Sequence, residues 1–321
     1  MPVLSFSESI RSTLIQLMRS DKKIILTGLG VNDPKGIFGT TKNLYKIFGK
    51  QRVIEPPTSE NAVTGICLGV ASCGMKPILS HQRVEFSLLS LEQIFNQIAK
   101  WEFMTAHKSS ISMVIRLIIG KGWGQGPQHS QSLEAIFAHI PGLVVVAPSN
   151  PYDAKGLLVS SLKINKPVIF FEHRWLHETK SFVPNKIYNV KIGQAKLLSK
   201  GKDLSIISYS EGFNKLRSIV KILEKSKISA EIIDLRTLRP LDKKTILKSI
   251  KKTKKLLVID NGWKTYGISS EIIALLAEHF SNKKIKYLRL GLKEHPISST
   301  RVLARNSYVS FKSIFKAISE I

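Results

Sequence analysis

Leu143-Val144-Val145-Val146 is an unbroken apolar run, and its reading decides the fold. A strand with one face in water alternates apolar and polar residues. A run with no polar member is a strand covered on both faces, as in a parallel sheet layered between helices. Downstream, Tyr152 to Leu162 reads as a helix, and Val168-Ile169-Phe170-Phe171 is a second continuous apolar run. Strand, helix and strand in that order make a parallel crossover unit.

Toward the amino terminus the alternation continues. Ser7 to Met18 is an amphipathic helix with Ile10, Leu14, Ile15 and Met18 on one face. Lys23 to Thr27 is a short strand ending at Gly28, and a helix is expected near Thr41 to Phe48. Arg52 to Glu55 is a strand stopped by Pro56-Pro57, after which Thr58-Ser59 opens a helix to about Ser72. A strand begins at Pro77 to Leu79. One long helix is expected from Phe86 to about Thr105, carrying Leu88, Leu91, Ile94, Phe95 and Ile98. Ser112 to Leu117 is the strand before a glycine-rich segment, Gly120 to Gln128.

Toward the carboxyl terminus, periodicity fades between Arg174 and Lys191, a polar stretch containing Pro184. A second series follows: strands at Leu204 to Ser208, Ala230 to Asp234, Leu256 to Ile259 and Ile285 to Leu290, with helices at Phe213 to Glu224, Asp242 to Ile250, Ile268 to Phe280 and Phe311 to Ile318. The expected fold is α/β with two doubly wound domains: residues 1–180, a linker at 181–191, and residues 192–321.

Composition narrows the function. Hydrophobic residues make up 43% and charged residues 22% of the 321 positions, the balance of a globular chain. No apolar run approaches the ~18 residues of a membrane span. Neither a secretory signal nor an Arg-rich transit segment is visible at the start, so a cytoplasmic location is expected. Cys67 and Cys73 match neither a redox pair nor a zinc knuckle, and both read as buried small hydrophobes. The 49 Lys and Arg exceed the 23 Asp and Glu, a net charge of +26. The basic residues are scattered; the densest group is Lys251-Lys252-Thr253-Lys254-Lys255. No aromatic RNA-binding pattern accompanies them, so a solvated lysine surface is favoured over nucleic-acid binding.

Common nucleotide, metalloprotease and hydrolase motifs are missing. His173 and His177 are spaced four apart but sit where periodicity fades, a weak metal signal; no metal ligands are assigned. Two segments stand out. Glu55-Pro56-Pro57-Thr58-Ser59-Glu60-Asn61-Ala62 sets Glu60 in the first turn of a helix, at the carboxyl end of a strand, the edge where open α/β sheets bind ligands. An acid there also simply complements the helix dipole. Ile119-Gly120-Lys121-Gly122-Trp123-Gly124-Gln125-Gly126-Pro127-Gln128-His129-Ser130-Gln131 allows close backbone approach and delivers His129 to an expected helix start, with Ser130 as cap. Its plainer reading is a surface loop.

With these residues the sequence resembles the β subunits of the pyruvate, branched-chain 2-oxo acid and acetoin dehydrogenases. The likeness spans the chain. It includes Phe38-Gly39-Thr40-Thr41, the segment ending at Glu60, Gly122 to Gln131, Pro141-Gly142-Leu143, Asp153 to Leu157, Asp234-Leu235-Arg236-Thr237 with Pro240-Leu241-Asp242, and Gly262-Trp263. The resemblance implies a pyrimidine-binding thiamine-diphosphate domain followed by a transketolase-C-terminal-like domain. It makes Glu60 the cofactor-activating glutamate, whose carboxyl hydrogen-bonds a ring nitrogen of the aminopyrimidine. Phe86 falls where the family sets an aromatic ring against that heterocycle, although a core Phe on a helix is the plainer reading. His129 matches the active-site histidine that assists acyl transfer to a lipoyl group. Arg116, ending its strand, is read as structural. The family holds the diphosphate and Mg²⁺ with a Gly-Asp-Gly segment of the α subunit, and no Gly-Asp-Gly occurs here. An obligate α partner, most simply in an α2β2 assembly, is implied, with a lipoyl acyltransferase and a small 2-oxo acid, pyruvate by default, as further partners.

Several positions depart from the family. Gly28 is followed by Leu29 where a Glu is usual. Glu294-His295-Pro296-Ile297-Ser298 has one proline fewer than the family's pattern. The potassium turn, usually Asp-x-x-Pro, reads Ile164-Asn165-Lys166-Pro167, which argues against that ion. A basic second domain would also repel a basic acyltransferase docking domain. The rival readings are half of a split transketolase and a non-catalytic basic scaffold or nucleic-acid-binding relative. His-Ser-Gln at 129–131 favours the dehydrogenases over the Thr-His-Gln of transketolases.

Overall fold

The strands of the first half are β1 (Val3–Ser5), β2 (Ile24–Thr27), β3 (Val53–Ile54), β4 (Lys76–His81), β5 (Met113–Ile119), β6 (Val144–Val146), β7 (Pro167–His173) and β8 (Lys180–Phe182). Those of the second half are β9 (Lys196–Ser199), β10 (Leu204–Ser208), β11 (Ala230–Asp234), β12 (Thr237–Arg239), β13 (Lys255–Trp263) and β14 (Lys286–Leu292). The computed structural model describes residues 2–122, 124–281 and 284–321; Trp123 of the glycine-rich segment lies outside the described residues.

Among the described residues, β12-β6-β7-β5-β4-β2-β3 form one sheet and β14-β13-β10-β11-β9 a second. The first is parallel except for β12, and the second is parallel except for β9. The run that opened the sequence reading is β6, whose three residues are all buried, as expected of a strand covered on both faces. Two apolar layers sandwich the first sheet. One layer continues into the second domain through Ile207, Tyr209, Ile233 and Leu235, so the domains share a core.

Local chemistry explains the element ends. The helix Phe6–Ser20 starts at a capping box, in which Ser5 Oγ accepts from the Glu8 amide and Glu8 accepts from the Ser5 amide. It packs on the helix Pro151–Ser161, which Asn150 caps through the Asp153 amide. Its own buried face is Phe6, Ile10, Leu14, Leu17 and Met18. The Lys251–Lys255 group lies at the carboxyl end of the helix Lys243–Thr253, where exposed cations meet the negative end of the dipole.

Four expectations need correction. The segment expected as one long helix is instead a 3-10 helix, Val84–Ser90, a π-helical stretch, Glu92–Ile98, and a short α-helix, Trp101–Met104. Ser87 and Ser90 donate to the carbonyls of Val84 and Ser87, three residues back, and tighten the first part. His129 does not open a helix. It ends a 3-10 turn, Pro127–His129, and the following helix begins at Glu134; Ser130 donates to the Gln125 carbonyl instead of capping. Cys67 is buried, with its thiol pushed up to about 12 by desolvation, but Cys73 is exposed. Finally, β8 pairs antiparallel with β1 inside the stretch that had lost periodicity. No helix of the described residues is long and apolar enough to cross a membrane.

Candidate functional site

The chain order of the first sheet reverses at β2: from β2 it steps outward to β3, then returns to β4 on the other side. Such switch points open a crevice at the carboxyl ends of the strands. A cleft of about 140 Å³ lies there, between Gly28 and Leu29 after β2, Pro56 and Pro57 after β3, and Leu79 to Gln82 at the end of β4. Glu60 and Phe86 line it together.

Backbone proximity builds this cleft. Gly28 has φ +141°, and a Cβ there would overlap the Ser80 carbonyl oxygen, so only glycine lets β2 leave the sheet so close to β4. Glu55 pins the loop that follows. Its carboxylate accepts from the Gly30 amide at 2.6 Å and the Asn32 amide at 3.3 Å, and Gln82 Nε2 donates to the Leu29 carbonyl at 2.9 Å. Glu55, His81 and Gln82 were not singled out from the sequence. Glu55 lay in the quoted Glu55–Ala62 segment, but nothing in its spacing showed that it would turn back onto residues 30–32.

Glu60 is half-buried in the first turn of the helix Glu60–Ser72. Its carboxylate has no hydrogen-bond partner among the described residues, although its carbonyl accepts from Thr64 Oγ1 at 2.7 Å. His81 is buried on the cleft wall with Nε2 unpartnered, and burial drops its pKa to about 4, which keeps the imidazole neutral at pH 7. Leu29 lines the same cleft where the resemblance expects an acid.

His129 meets the cleft through Phe86. The two rings lie edge to face, with centroids 5.6 Å apart at 83°. The glycine-rich loop carrying His129 is tied at several points. Trp175 Nε1 donates to the Lys121 carbonyl at 2.8 Å, and Lys121 Nζ reaches the Ser299 carbonyl of the second domain at 2.8 Å. Arg116, read as ending its strand, lies within β5 and is buried. It makes a two-pronged ion pair with Glu172 at 2.6 and 3.0 Å and bonds to Ser80 and Thr40. Burial alone would raise the Glu172 carboxyl, but the Arg116 guanidinium and nearby His177 outweigh it and hold it at about 2. This pair braces the strand next to the cleft. His173 and His177 are buried in the same region, and no group of three or more His, Cys, Asp or Glu among the described residues could hold a metal ion.

Known proteins share this plan. The family of the transketolase pyrimidine binding domain matches residues 3–179, and that of the transketolase C-terminal domain matches residues 193–310. The acetoin:2,6-dichlorophenolindophenol oxidoreductase subunit beta of Cupriavidus necator is 39% identical, over 86% of this chain and 84% of its own. The chain belongs to the 2-oxo acid dehydrogenase β-subunit family. Other members are the 2-oxoisovalerate dehydrogenase subunit beta of Bacillus subtilis, 37% identical over 87% of this chain and 86% of its own, and the pyruvate dehydrogenase E1 component subunit beta of Porphyra purpurea, 33% identical over 98% and 95%. A solved split-gene transketolase, described as an inactive beta4 tetramer, shares the fold, with a TM-score of 0.82 over 99% of this chain and 97% of its own at 18% identity.

The family depends on thiamine diphosphate. The cleft fits the neutral aminopyrimidine end of that cofactor: it has apolar walls at Leu29, Val63, Leu79 and Phe86 and a carboxylate, Glu60, with no hydrogen-bond partner among the described residues. The sequence offers no Gly-Asp-Gly for the charged end.

Proposed function

We propose that this chain, with a separate α subunit, forms an enzyme that decarboxylates a 2-oxo acid oxidatively and passes the acyl group to a lipoyl carrier. The observation that carries the reading is that Glu60, whose carboxylate has no hydrogen-bond partner among the described residues, lines one cleft with Phe86 at the switch point. When bound, thiamine diphosphate supplies the electron sink for decarboxylation. Glu60 hydrogen-bonds a ring nitrogen of the aminopyrimidine and shares a proton with it, a task suited to a half-buried carboxyl. Phe86 would pack against the heterocycle, and its edge contact with His129 holds the imidazole beside that ring. There His129 moves a proton during acyl transfer.

The α subunit, in an α2β2 assembly, holds the diphosphate and Mg²⁺. No potassium site is assigned at Ile164-Asn165-Lys166-Pro167. Pyruvate is the first acid to test, the setting is cytoplasmic, and a lipoyl acyltransferase is the acceptor.

The experiment is thiamine-diphosphate-dependent CO₂ release from a panel of 2-oxo acids, with this chain co-purified with its natural partner. Release is expected to need both chains and to vanish in Glu60→Gln with the fold intact. Wild-type turnover in that variant would refute the assignment. Ketol transfer between sugar phosphates, in place of CO₂ release, would establish the split-transketolase reading. Salt-sensitive polynucleotide binding without cofactor binding would establish the scaffold reading.

A further inference from the structure

Three of four consecutive residues, Arg83, Glu85 and Phe86, touch the glycine-rich loop at its start, middle and end. Arg83 Nη1 donates to the Gly120 carbonyl at 2.5 Å, where the loop leaves β5. Arg83 Nη2 donates to Gln125 Oε1, and the same oxygen accepts from the Gly122 amide at 3.0 Å. Glu85 Oε1 accepts from the Gln131 amide at 2.7 Å, two residues beyond His129. Phe86 meets the His129 ring itself. Val84, fully buried, roots the stretch in the core.

The charges in this stretch are poorly matched as a stabilising pair. Arg83 is 3% exposed, yet among the described residues both of its hydrogen-bond partners are neutral, and its Nε has none. Burial draws its pKa down to about 10. Glu85 Oε2 is likewise buried and unpartnered, and burial raises that carboxyl. Desolvating a cation and an anion that do not bridge each other directly costs stability. What the arrangement gains is a loop fixed at three points along its length, Gly120, Gln125 and Gln131. Four glycines within seven residues would otherwise leave His129 many conformations.

We infer that Arg83 and Glu85 are positioning residues for His129: together they clamp the glycine-rich loop so that the imidazole is held against Phe86 at the mouth of the cofactor cleft. Neither touches the reacting atoms. The inference rests on the proposed role of His129 and adds the means by which a flexible loop presents it. Sub-ångström placement of such a group matters, since a displacement of about 1 Å can cost on the order of a hundredfold in rate.

The test is a double-mutant cycle on this chain co-purified with its α partner, using whichever 2-oxo acid gives CO₂. The kcat for acyl transfer to free lipoamide and the unfolding midpoint are both read. Arg83→Met and Glu85→Ala are each expected to lower kcat about tenfold or more with little change in KM. In a His129→Ala background each is expected to cost less than about twofold, because what they position is gone. Glu85→Gln keeps an acceptor for the Gln131 amide and is expected to regain most of the loss. Where the larger changes unfold the chain, Arg83→Lys, which cannot span both acceptors, is expected to lose activity with the midpoint kept. Losses that add fully to that of His129→Ala, or wild-type kcat in folded Arg83 and Glu85 variants, would overturn the inference. Activity that survives Glu60→Gln overturns the functional reading instead, so the two failures are distinguishable.

Discussion

Glu134→Gln is expected to stabilise the protein, increasingly so as pH rises toward 8. Glu134 opens the helix Glu134–His139, is 1% exposed, and has no hydrogen-bond partner for either carboxylate oxygen among the described residues. Gly262 of the second domain closes over it: a Cβ there would lie 3.8 Å from Glu134 Oε2. Desolvation pushes the carboxyl from its ordinary 4.5 up to about 8, and the neighbouring Asp260 carboxylate adds to the rise. The unfolded chain therefore releases this proton near pH 4.5, while the folded chain keeps it until about pH 8. The unfolded state binds fewer protons throughout that window, so stability falls as pH rises across it, by about 1.4 kcal/mol per pH unit. By pH 7 the accumulated loss is roughly 3 kcal/mol as an upper figure. The amide has nearly the shape of the protonated acid but does not ionise, so Glu134→Gln removes the slope. The assay is the unfolding midpoint of wild type and variant from pH 5 to pH 8. A gap that widens steadily with pH is expected; parallel curves would refute the reasoning, since a carboxyl that titrates alike in both states gives no slope.

Further outcomes follow from other contacts. Gly28→Ala is expected to destabilise by more than about 3 kcal/mol and to abolish cofactor binding, because its Cβ meets the Ser80 backbone; isothermal titration with thiamine diphosphate and denaturant unfolding would check both. Arg116→Met leaves Glu172 as an unpaired buried charge and should cost about 3–5 kcal/mol at pH 7 in urea unfolding. The Glu172 carboxyl is held below its unfolded value, so its contribution is complete above pH 4.5 and is lost as pH falls toward 2; the Arg116→Met deficit should shrink over that range. In the folded chain a thiol reagent should label Cys73 quickly and Cys67 only after unfolding, and rapid labelling of both would contradict the burial of Cys67.

Much of this fold could be read from period alone. β6 and the Val168–Phe171 part of β7 are so uniformly apolar that no other environment suits them, and the helix Phe6–Ser20 carries both its stripe and its capping box in plain sight. The long helix expected from Phe86 to about Thr105 gives way to shorter turns because the apolar spacing is helical while the serines favour tighter turns, a competition that hydrophobicity does not record. β12 was invisible: three residues with Arg on the end have no strand signature, and only the waiting edge of β6 makes them one. Around the cleft, the resemblance singles out Glu60 and Phe86. It does not single out Glu55 and Arg83, because their roles depend on which backbone comes within 3 Å of them after folding.

The borrowed strand has a consequence during synthesis. β12 closes the edge of a sheet whose other strands all lie within the first 173 residues, yet it is made long after β6. At ribosomal speeds that interval is roughly 5–20 s. For that time a nascent amino-terminal domain exposes the bare edge of β6, with unpaired amides and carbonyls ready to recruit another chain. A truncation at the apparent domain boundary would make that exposure permanent, so the amino-terminal half expressed alone should be sticky where the whole chain is not.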